Sequence, residues 1–218
     1  MLLNLNSLFA SIFKDLRGTS PKMLFKHTPE SCHLDITDGY SIQAKFSREE
    51  CLRIINIGKS HQLHNGTTGS SASDYRRSKI CWLPNDNTTG WIYDRLEKCV
   101  LEANLRWEIR VYGFGENLQF TEYDEKYQGH YNTHMDLGRD DNMRFRKISI
   151  VVHLTDPSEF QGGELILHTA YNALNGRVME NEQGTVTLFP SFLLHKVTPV
   201  TKGRRYSLVL WVTGPPFS

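Results

Sequence analysis

The sequence predicts a mainly β protein with flanking helices (α+β), built around a jelly-roll barrel. After residue 108, short segments rich in β-branched and aromatic residues alternate with turn residues, at the spacing of an all-β sandwich or barrel. These segments are LQFTEY, HYNTHMD, ISIVVHL, ELILHT, TVTLF, FLLHKVTPV and RYSLVLWV. We therefore predict a single domain over residues 1–218, with a helical support region over 1–107 and a jelly-roll core over 108–213.

Helical patterns precede the predicted barrel. A capping box at Ser47–Glu50 predicts a helix over 47–58, and a second helix is expected from Thr88 or Thr89 to about Trp107. Residues 60–78 are rich in Gly, Ser and Thr and indicate a long loop. Near the N-terminus, helical spacing of apolar residues predicts one further helix with an apolar face, formed by Leu2, Leu5, Phe9, Ile12 and Leu16.

Composition excludes several classes of protein. The 218 residues include 25 Lys and Arg against 24 Asp and Glu, a net charge of +1 that favours neither nucleic acid nor membrane as a partner. No apolar run is long enough for a membrane span, and the N-terminus lacks the features of a signal peptide. The four cysteines (Cys32, Cys51, Cys81 and Cys99) form no CxxC pair, which predicts reduced thiols and a cytoplasmic protein. The oligomeric state is left open.

Three residues form a candidate metal site. Residues two apart on a strand point to the same face, so His134 and Asp136 are expected to reach one point inside the barrel. His195 begins a later β segment and is the best candidate for a third ligand. Two histidines and one carboxylate form the facial triad of non-haem Fe(II) oxygenases, which leaves metal positions open. The HxD pattern alone is equally compatible with a chance match.

Arg205 follows His195 by ten residues. A predicted hairpin, turning at Gly203, brings Arg205 beside His195. A guanidinium inside a barrel requires an anion, and its planar fork suits a carboxylate. This pattern favours 2-oxoglutarate, whose keto-acid end can chelate a metal while its far carboxylate remains free. The alternative is that Arg204 and Arg205 are both solvated, and because they alternate faces at most one points inward.

Several stretches together resemble the prolyl 4-hydroxylase-like branch of the 2-oxoglutarate/Fe(II)-dependent dioxygenases: Tyr123–Asp136 (YDEKYQGHYNTHMD), Gly162–Leu165 (GGEL), Phe189–Arg205 (FPSFLLHKVTPVTKGRR) and Trp211. The resemblance implies a double-stranded β-helix and an O2-dependent hydroxylase that converts 2-oxoglutarate to succinate and CO2. It implies Fe(II), 2-oxoglutarate as co-substrate, and ascorbate. His134, Asp136 and His195 would be the metal ligands, and Arg205 would complete the catalytic set by binding the distal carboxylate.

The same resemblance suggests further contacts to the co-substrate. Tyr123 matches a tyrosine on the strand before the ligands, although Tyr127 competes for that role. Tyr131 matches an aromatic residue just before the first ligand, and His153 stands where the family often has Tyr. The alternatives are tyrosines half-buried in a sheet and a hydrogen-bonded core histidine.

The substrate is predicted only as a class. The resemblance suggests a peptidyl proline, and a free amino acid or other small molecule is the alternative within the same chemistry. The loop 60–78, with Tyr75, Arg76 and Arg77, could close over an extended peptide. Basic residues after the ligand strand (Arg144, Arg146 and Lys147) lie either at the substrate entrance or on a solvated turn. The alternatives of another class are a zinc hydrolase and a non-catalytic jelly-roll binding module.

Overall fold

The computed structural model describes residues 36–66, 74–138 and 145–216. The helix predicted near residues 2–16 lies outside these ranges, as does Cys32. Helix α1 spans Arg48–Ser60, and the predicted capping box is present, with Ser47 and Glu50 each binding the other's backbone N–H. Helix α2 spans Gly90–Asn104, so it ends three residues before the predicted end. Both predicted helices in the described ranges are therefore confirmed.

The described residues also form fourteen strands, with short 3-10 turns at Glu125–Tyr127, Pro157–Glu159 and Ala170–Asn172. The strands are β1 (Tyr40–Ile42), β2 (His64–Asn65), β3 (Arg76–Arg77), β4 (Lys79–Leu83), β5 (Gly113–Phe114), β6 (Leu118–Asp124), β7 (His130–His134), β8 (Arg146–His153), β9 (Phe160–Gly162), β10 (Leu165–Leu167), β11 (Arg177–Val178), β12 (Val186–Pro190), β13 (His195–Val197) and β14 (Val200–Thr213).

These strands build two sheets. The larger sheet has the order β1-β12-β8-β14-β6-β4-β2, with β5 and β9 also paired to β14. The smaller sheet has the order β11-β10-β13-β7-β3. Neighbouring strands in both sheets are antiparallel, which agrees with the predicted mainly β fold with flanking helices.

The larger sheet is buried on both faces, as its inner strand β8 shows. Ile148, Ile150 and Val152 belong to a hydrophobic cluster that also contains the apolar residues of α1 and α2. Val151 belongs to a second cluster with residues of the smaller sheet, including Leu165 and Leu167. Because successive side chains of a strand point to opposite faces, β8 separates a helix-packed core from the interior between the sheets. The candidate site lies in that interior.

The front of the chain is less purely helical than predicted. Strands β1 to β4 all lie before residue 107, and β1, β2 and β4 belong to the larger sheet. The predicted loop over 60–78 is also interrupted, because β2 pairs with β4 and β3 pairs with β7. Strands β2 and β3, which lie within this segment, have only two residues each and are polar. They therefore lack the alternation of apolar residues by which a strand is recognised in a sequence.

The predicted hairpin between His195 and Arg205 is wrong. Strand β13 pairs with β7 and β10 in the smaller sheet, whereas β14 pairs with β6, β8 and β9. The chain therefore crosses from one sheet to the other after Val197. Gly203 does not form a turn but lies within β14, at φ 72°, where a Cβ atom would come within 2.2 Å of the Glu159 carbonyl oxygen.

Two further observations concern the described ranges. No helix there combines the length and the apolar character needed to cross a bilayer. The cysteines Cys51, Cys81 and Cys99 are buried and free, and the burial of Cys99 agrees with its predicted place in the core. Burial raises the pKa of Cys51 to about 12 and that of Cys81 to about 11, so these thiols remain protonated at neutral pH.

Candidate functional site

Two histidines meet where strands β7 and β13 pair. His134 is the direct cross-strand partner of His195, and their ring centres lie 4.1 Å apart. Asp136 follows two residues after His134, beyond the end of β7, and its backbone N–H donates to the Ser191 carbonyl. The expectation that Asp136 lies on the same strand as His134 was therefore wrong, although its side chain does reach the same point.

The three side chains converge. Asp136 Oδ1 lies 3.6 Å from His134 Nε2, and Asp136 Oδ2 lies 3.5 Å from His195 Nε2. One ligand atom from each residue falls within 4.8 Å of the other two, a spacing that admits a single ion. Two imidazole nitrogens and one carboxylate are the donor set that suits Fe(II) while leaving positions open.

Backbone carbonyls orient both imidazoles. His134 Nδ1 donates to the Asn132 carbonyl at 2.7 Å, and His195 Nδ1 donates to the Leu193 carbonyl at 3.0 Å. Because a carbonyl oxygen only accepts, each Nδ1 carries the proton and each Nε2 keeps its lone pair for a metal. Burial lowers the pKa of His195 to about 4, although Asp136 acts against this shift, so this imidazole is neutral at physiological pH.

The carboxylate of Asp136 is held in its charged form. Burial alone would raise the pKa of Asp136, but the two histidines and the Ser149 hydroxyl outweigh burial and hold it well below its usual range. Ser149 Oγ donates to Asp136 Oδ2 at 2.6 Å and lies 2.9 Å from Ser191 Oγ. Ser149 was not identified from the sequence, but its position on the inward face of β8, two residues from Val151, could have indicated it.

The same three residues line a cavity of about 570 Å³ together with Arg205. Arg205 is 2% exposed, and its Nη1 has a long hydrogen bond of 3.4 Å to Ser207 Oγ. Its Nη2 has no hydrogen-bond partner among the described residues. A buried cation with a free donor requires an anion, so the cavity is suited to a molecule that places a carboxylate at Arg205. Arg204 instead binds Asp124 outside the cavity, which agrees with the predicted alternation.

Two of the three aromatic and imidazole residues predicted to contact the co-substrate line the cavity. Tyr123 does so, with its ring centre 5.4 Å from Arg205 Cζ, whereas Tyr127 lies in a different pocket and contacts Glu122. Tyr131 lines the cavity and stacks on His134, with ring centres 3.5 Å apart.

The third residue, His153, is not among the cavity-lining residues. It lies 2% exposed in the sheet interior, with Nε2 3.3 Å from Thr187 Oγ1. Burial and the nearby Arg205 lower the pKa of His153 to about 3, so the ring is neutral. This placement agrees with the alternative of a core histidine.

The cavity wall also includes residues whose contacts were not predicted. Arg146 forms two bonds of 2.6 Å with Glu116, and its Cζ lies 3.7 Å from the centre of a Trp211 ring. Trp211 in turn lies 6.3 Å from Trp82. Glu116 lies 30 residues before Arg146 in the chain, and no local pattern indicates this pairing. Arg144 lies outside the described residues.

The predicted loop also contributes to the cavity. Tyr75 and Arg76 are among its lining residues, and Tyr75 Oη donates to the Thr133 carbonyl at 2.6 Å. Arg77 instead binds Asp74. Residues 67–73 lie outside the described ranges, so the closing motion predicted for the loop rests on the sequence alone.

Comparisons with known proteins agree with this geometry. Residues 118–213 match the model of the 2OG-Fe(II) oxygenase superfamily. A PKHD-type hydroxylase from Idiomarina loihiensis is 39% identical over 154 residues, which cover 67% of this chain and 63% of that protein. A PKHD-type hydroxylase from Hyphomonas neptunium is 28% identical over 152 residues, which cover 67% of this chain and 64% of that protein. The chain thus spans less than two thirds of the length of these curated relatives.

Solved structures share the fold. A prolyl-4-hydroxylase from Pseudomonas putida superimposes with a TM-score of 0.64 at 19% identity, covering 81% of this chain and 92% of that one. A second structure is a prolyl hydroxylase from Trichoplax adhaerens in complex with a peptide fragment of the hypoxia inducible factor oxygen degradation domain. It superimposes with a TM-score of 0.68 at 18% identity, covering 82% of this chain and 84% of that one. These similarities confirm the predicted double-stranded β-helix.

Proposed function

We propose that this chain, which belongs to the 2OG-Fe(II) oxygenase superfamily, is an Fe(II)- and 2-oxoglutarate-dependent hydroxylase. In this proposal His134, Asp136 and His195 hold the metal, and Arg205 binds the distal carboxylate of 2-oxoglutarate. One observation carries it: a single cavity contains both the converging triad and a buried guanidinium with a free donor. A metal site alone would not supply the anion that this buried guanidinium needs.

The protein's part in such a reaction is to orient groups and to exclude water. The chemistry supplied by bound Fe(II), 2-oxoglutarate and O2 is oxidative decarboxylation to succinate and CO2, coupled to hydroxylation of a C–H bond. The two backbone-held imidazoles and the Ser149-bound carboxylate are held in fixed orientations and would hold the metal. Arg205 fixes the far end of the co-substrate, and the apolar side chains of Val151, Leu165 and Val209 line the cavity between.

For the substrate we propose a peptidyl proline. The support comes from similar proteins: two structural neighbours are prolyl hydroxylases, and one of them was solved with a peptide. The cavity lining also includes Trp82 and Trp211, aromatic surfaces against which an apolar ring can pack. A free amino acid or small molecule remains the alternative for the same site.

The two alternatives of another class have less support. A zinc hydrolase needs a general base, yet Glu116, the cavity-lining carboxylate other than Asp136 in the described part of the chain, has both oxygens bound to Arg146. A non-catalytic binding module gives no reason for three ligand atoms to converge beside an unpaired guanidinium.

The decisive experiment measures succinate formation. Protein purified without O2 is given Fe(II), 2-oxoglutarate, ascorbate and O2, with and without a panel of proline-containing peptides and free amino acids. We expect succinate from the wild type, no succinate from His134→Ala, and a greatly raised requirement for 2-oxoglutarate in Arg205→Met. Arg204→Met is the matched control, because Arg204 binds Asp124 outside the cavity.

Mass spectrometry then identifies the product. An added mass of one oxygen on proline in a peptide, with no change in free amino acids, supports the peptidyl substrate. Hydroxylation of free amino acids alone would replace that substrate class while leaving the chemistry intact. No succinate under any condition, with no stabilisation by metal plus 2-oxoglutarate, would contradict the proposed function and favour the binding module.

A further inference from the structure

Three side chains form a column beside the candidate metal site: Arg76, Tyr131 and His134. The imidazole of His134 stacks on the Tyr131 ring at 3.5 Å between ring centres, with 16° between the planes. The guanidinium carbon of Arg76 lies over the same Tyr131 ring, 4.6 Å from its centre. One face of the ring has no room for both groups at these distances. Arg76 and His134 therefore lie on opposite faces, and the phenol ring is held between a cation and a histidine.

The column is fixed by both sheets. Arg76 on β3 is the direct cross-strand partner of Tyr131 on β7, which sets their spacing in the smaller sheet. The guanidinium is anchored at its other side, where Nε donates to Ser78 Oγ and Nη2 donates to Gln119 Oε1, each at 2.8 Å. Gln119 lies on β6 of the larger sheet, so Arg76 ties the Tyr131 ring to both sheets.

The contact matters because the other neighbours of His134, the tilted ring of His195 and the carboxylate of Asp136, do not lie flat against its imidazole. Its Nδ1 bond to the Asn132 carbonyl fixes the tautomer, but one hydrogen bond leaves the imidazole free to tilt about that bond. A flat surface against the ring removes this freedom. The other histidine, His195, packs against the side of Phe189, 4.7 Å away, and is more deeply buried. Tyr131 therefore supplies to His134 the planar restraint that its hydrogen bond does not.

We propose that Arg76 is a positioning residue for the metal ligand His134, acting through the Tyr131 ring. This inference rests on the proposed function, because it requires a metal at the triad. The cation attracts the negative face of the phenol ring and holds it in register with the imidazole. Arg76 thus sets the plane of a ligand that it does not touch, from a segment in which the sequence indicates only a loop.

The test uses metal alone, so that it does not depend on a substrate. Mn(II) affinity is measured from the EPR signal of free Mn(II), and ligand geometry from the visible absorption of bound Co(II). We expect Arg76→Met to weaken Mn(II) binding about 10-fold, the lower end for loss of groups that orient ligands, and to shift the Co(II) bands. Arg76→Lys, which keeps a cation over the ring, should restore much of both signals.

Matched variants separate positioning from general damage. Arg77→Met alters the neighbouring arginine of the same strand, which binds Asp74 and not Tyr131, and should match the wild type. Tyr131→Leu should weaken binding as Arg76→Met does, and the double variant should be no weaker than Tyr131→Leu alone, because both act through one contact.

The outcomes distinguish the two proposals. If Arg76→Met binds Mn(II) and Co(II) with wild-type affinity and spectrum, the positioning role is overturned and the proposed function stands. Additive losses in the double variant would also overturn it. If the wild type shows no saturable Mn(II) binding, the proposed function fails, and this inference fails with it. Should Arg76→Met not fold, Gln119→Leu removes the guanidinium's anchor and carries the same expectations.

Discussion

Ser149 Oγ donates to Asp136 Oδ2 across 2.6 Å and thereby ties the larger sheet to the candidate metal site beside the smaller one. Partners that orient a ligand contribute about 10- to 100-fold to metal affinity in many sites. We therefore expect Ser149→Ala to weaken Mn(II) binding about 10-fold while the protein stays folded. Ser191→Ala is the control, because it removes the neighbouring hydroxyl and leaves the bond to Asp136 in place. Equal affinities for Ser149→Ala and the wild type would show that the aspartate needs no such partner.

Gly163 controls how closely the backbone approaches Arg205. Its φ is 66°, and a Cβ atom there would lie 2.9 Å from both Arg205 Cδ and Val200 Cγ2. Gly163→Ala should therefore displace the guanidinium without removing it. We expect the apparent KM for 2-oxoglutarate to rise about 10-fold, equivalent to about 1.4 kcal/mol of binding free energy, with kcat largely kept.

A second glycine provides a control that distinguishes displacement of Arg205 from backbone strain. Gly176 also has a positive φ, of 73°, but a Cβ atom there would meet Ile166 and not Arg205. Gly176→Ala should lower thermal stability and leave the KM for 2-oxoglutarate unchanged. A KM that rises equally in both variants would mean that general destabilisation, not the position of Arg205, sets the affinity.

The placement of the triad could be predicted because its signal is local. His134 and Asp136 are two residues apart, and His195 begins a recognisable β segment, so a barrel needs only one strand pairing to unite them. Arg205 was selected by its alternation with Arg204, which holds in the structure although the predicted hairpin does not. The prediction that Arg205 is the arginine that points inward was thus right, while the prediction that β13 and β14 form a hairpin was wrong. Side-chain alternation depends on the strand alone, whereas pairing depends on the whole sheet.

The rest of the site depends on contacts between distant segments. Arg146 and Glu116 lie 30 residues apart, and Arg76 meets Tyr131 through a strand of two polar residues. Neither pairing leaves a periodic pattern in the sequence, because each is fixed by strand order and register. His153 is a further case in which the sequence does not determine the contacts of a side chain. Alternation along β8 places it on the inward face, but only the packing shows that it does not line the cavity.

His153 and His195 predict an acid-sensitive fold. Burial holds their pKa values at about 3 and about 4, below the value of about 6.5 expected in an unfolded chain. The unfolded state therefore binds more protons as the pH falls, so the stabilising effect is complete above about pH 6.5 and declines below it, towards about pH 4 for His195 and about pH 3 for His153. At pH 5 each histidine should cost the metal-free protein about 2 kcal/mol of unfolding free energy relative to pH 8.

The pH dependence of the unfolding free energy can be assigned to one residue by urea unfolding at pH 8 and pH 5. His153 is the better choice, because it is not a candidate metal ligand. His153→Gln should reduce the loss of stability between these pH values by about 2 kcal/mol, whatever its stability at pH 8. An unchanged loss in His153→Gln would mean that this histidine is accessible to protons in the folded protein.

The ion pair between Glu116 and Arg146, in the cavity wall, can be tested by measuring the free energy of unfolding. Its side chains are only 14% and 10% exposed, and both carboxylate oxygens are bound. Removing one partner of a buried pair leaves an unpaired charge, at a cost of about 3–5 kcal/mol. Glu116→Leu should therefore lower the unfolding free energy by several times the effect of Asp38→Leu, which breaks the exposed pair with Arg177 and should cost about 0–1 kcal/mol.

A double variant completes this test. In Glu116→Leu with Arg146→Met neither charge remains, so the protein should be more stable than with Glu116→Leu alone, because apolar replacements of similar volume are tolerated where a single buried charge is not. Urea unfolding at pH 7.5 gives all four free energies of the cycle. If the double variant were the least stable of the set, the stacking of Arg146 on Trp211, rather than its charge pairing, would be the main stabilising contact of this wall.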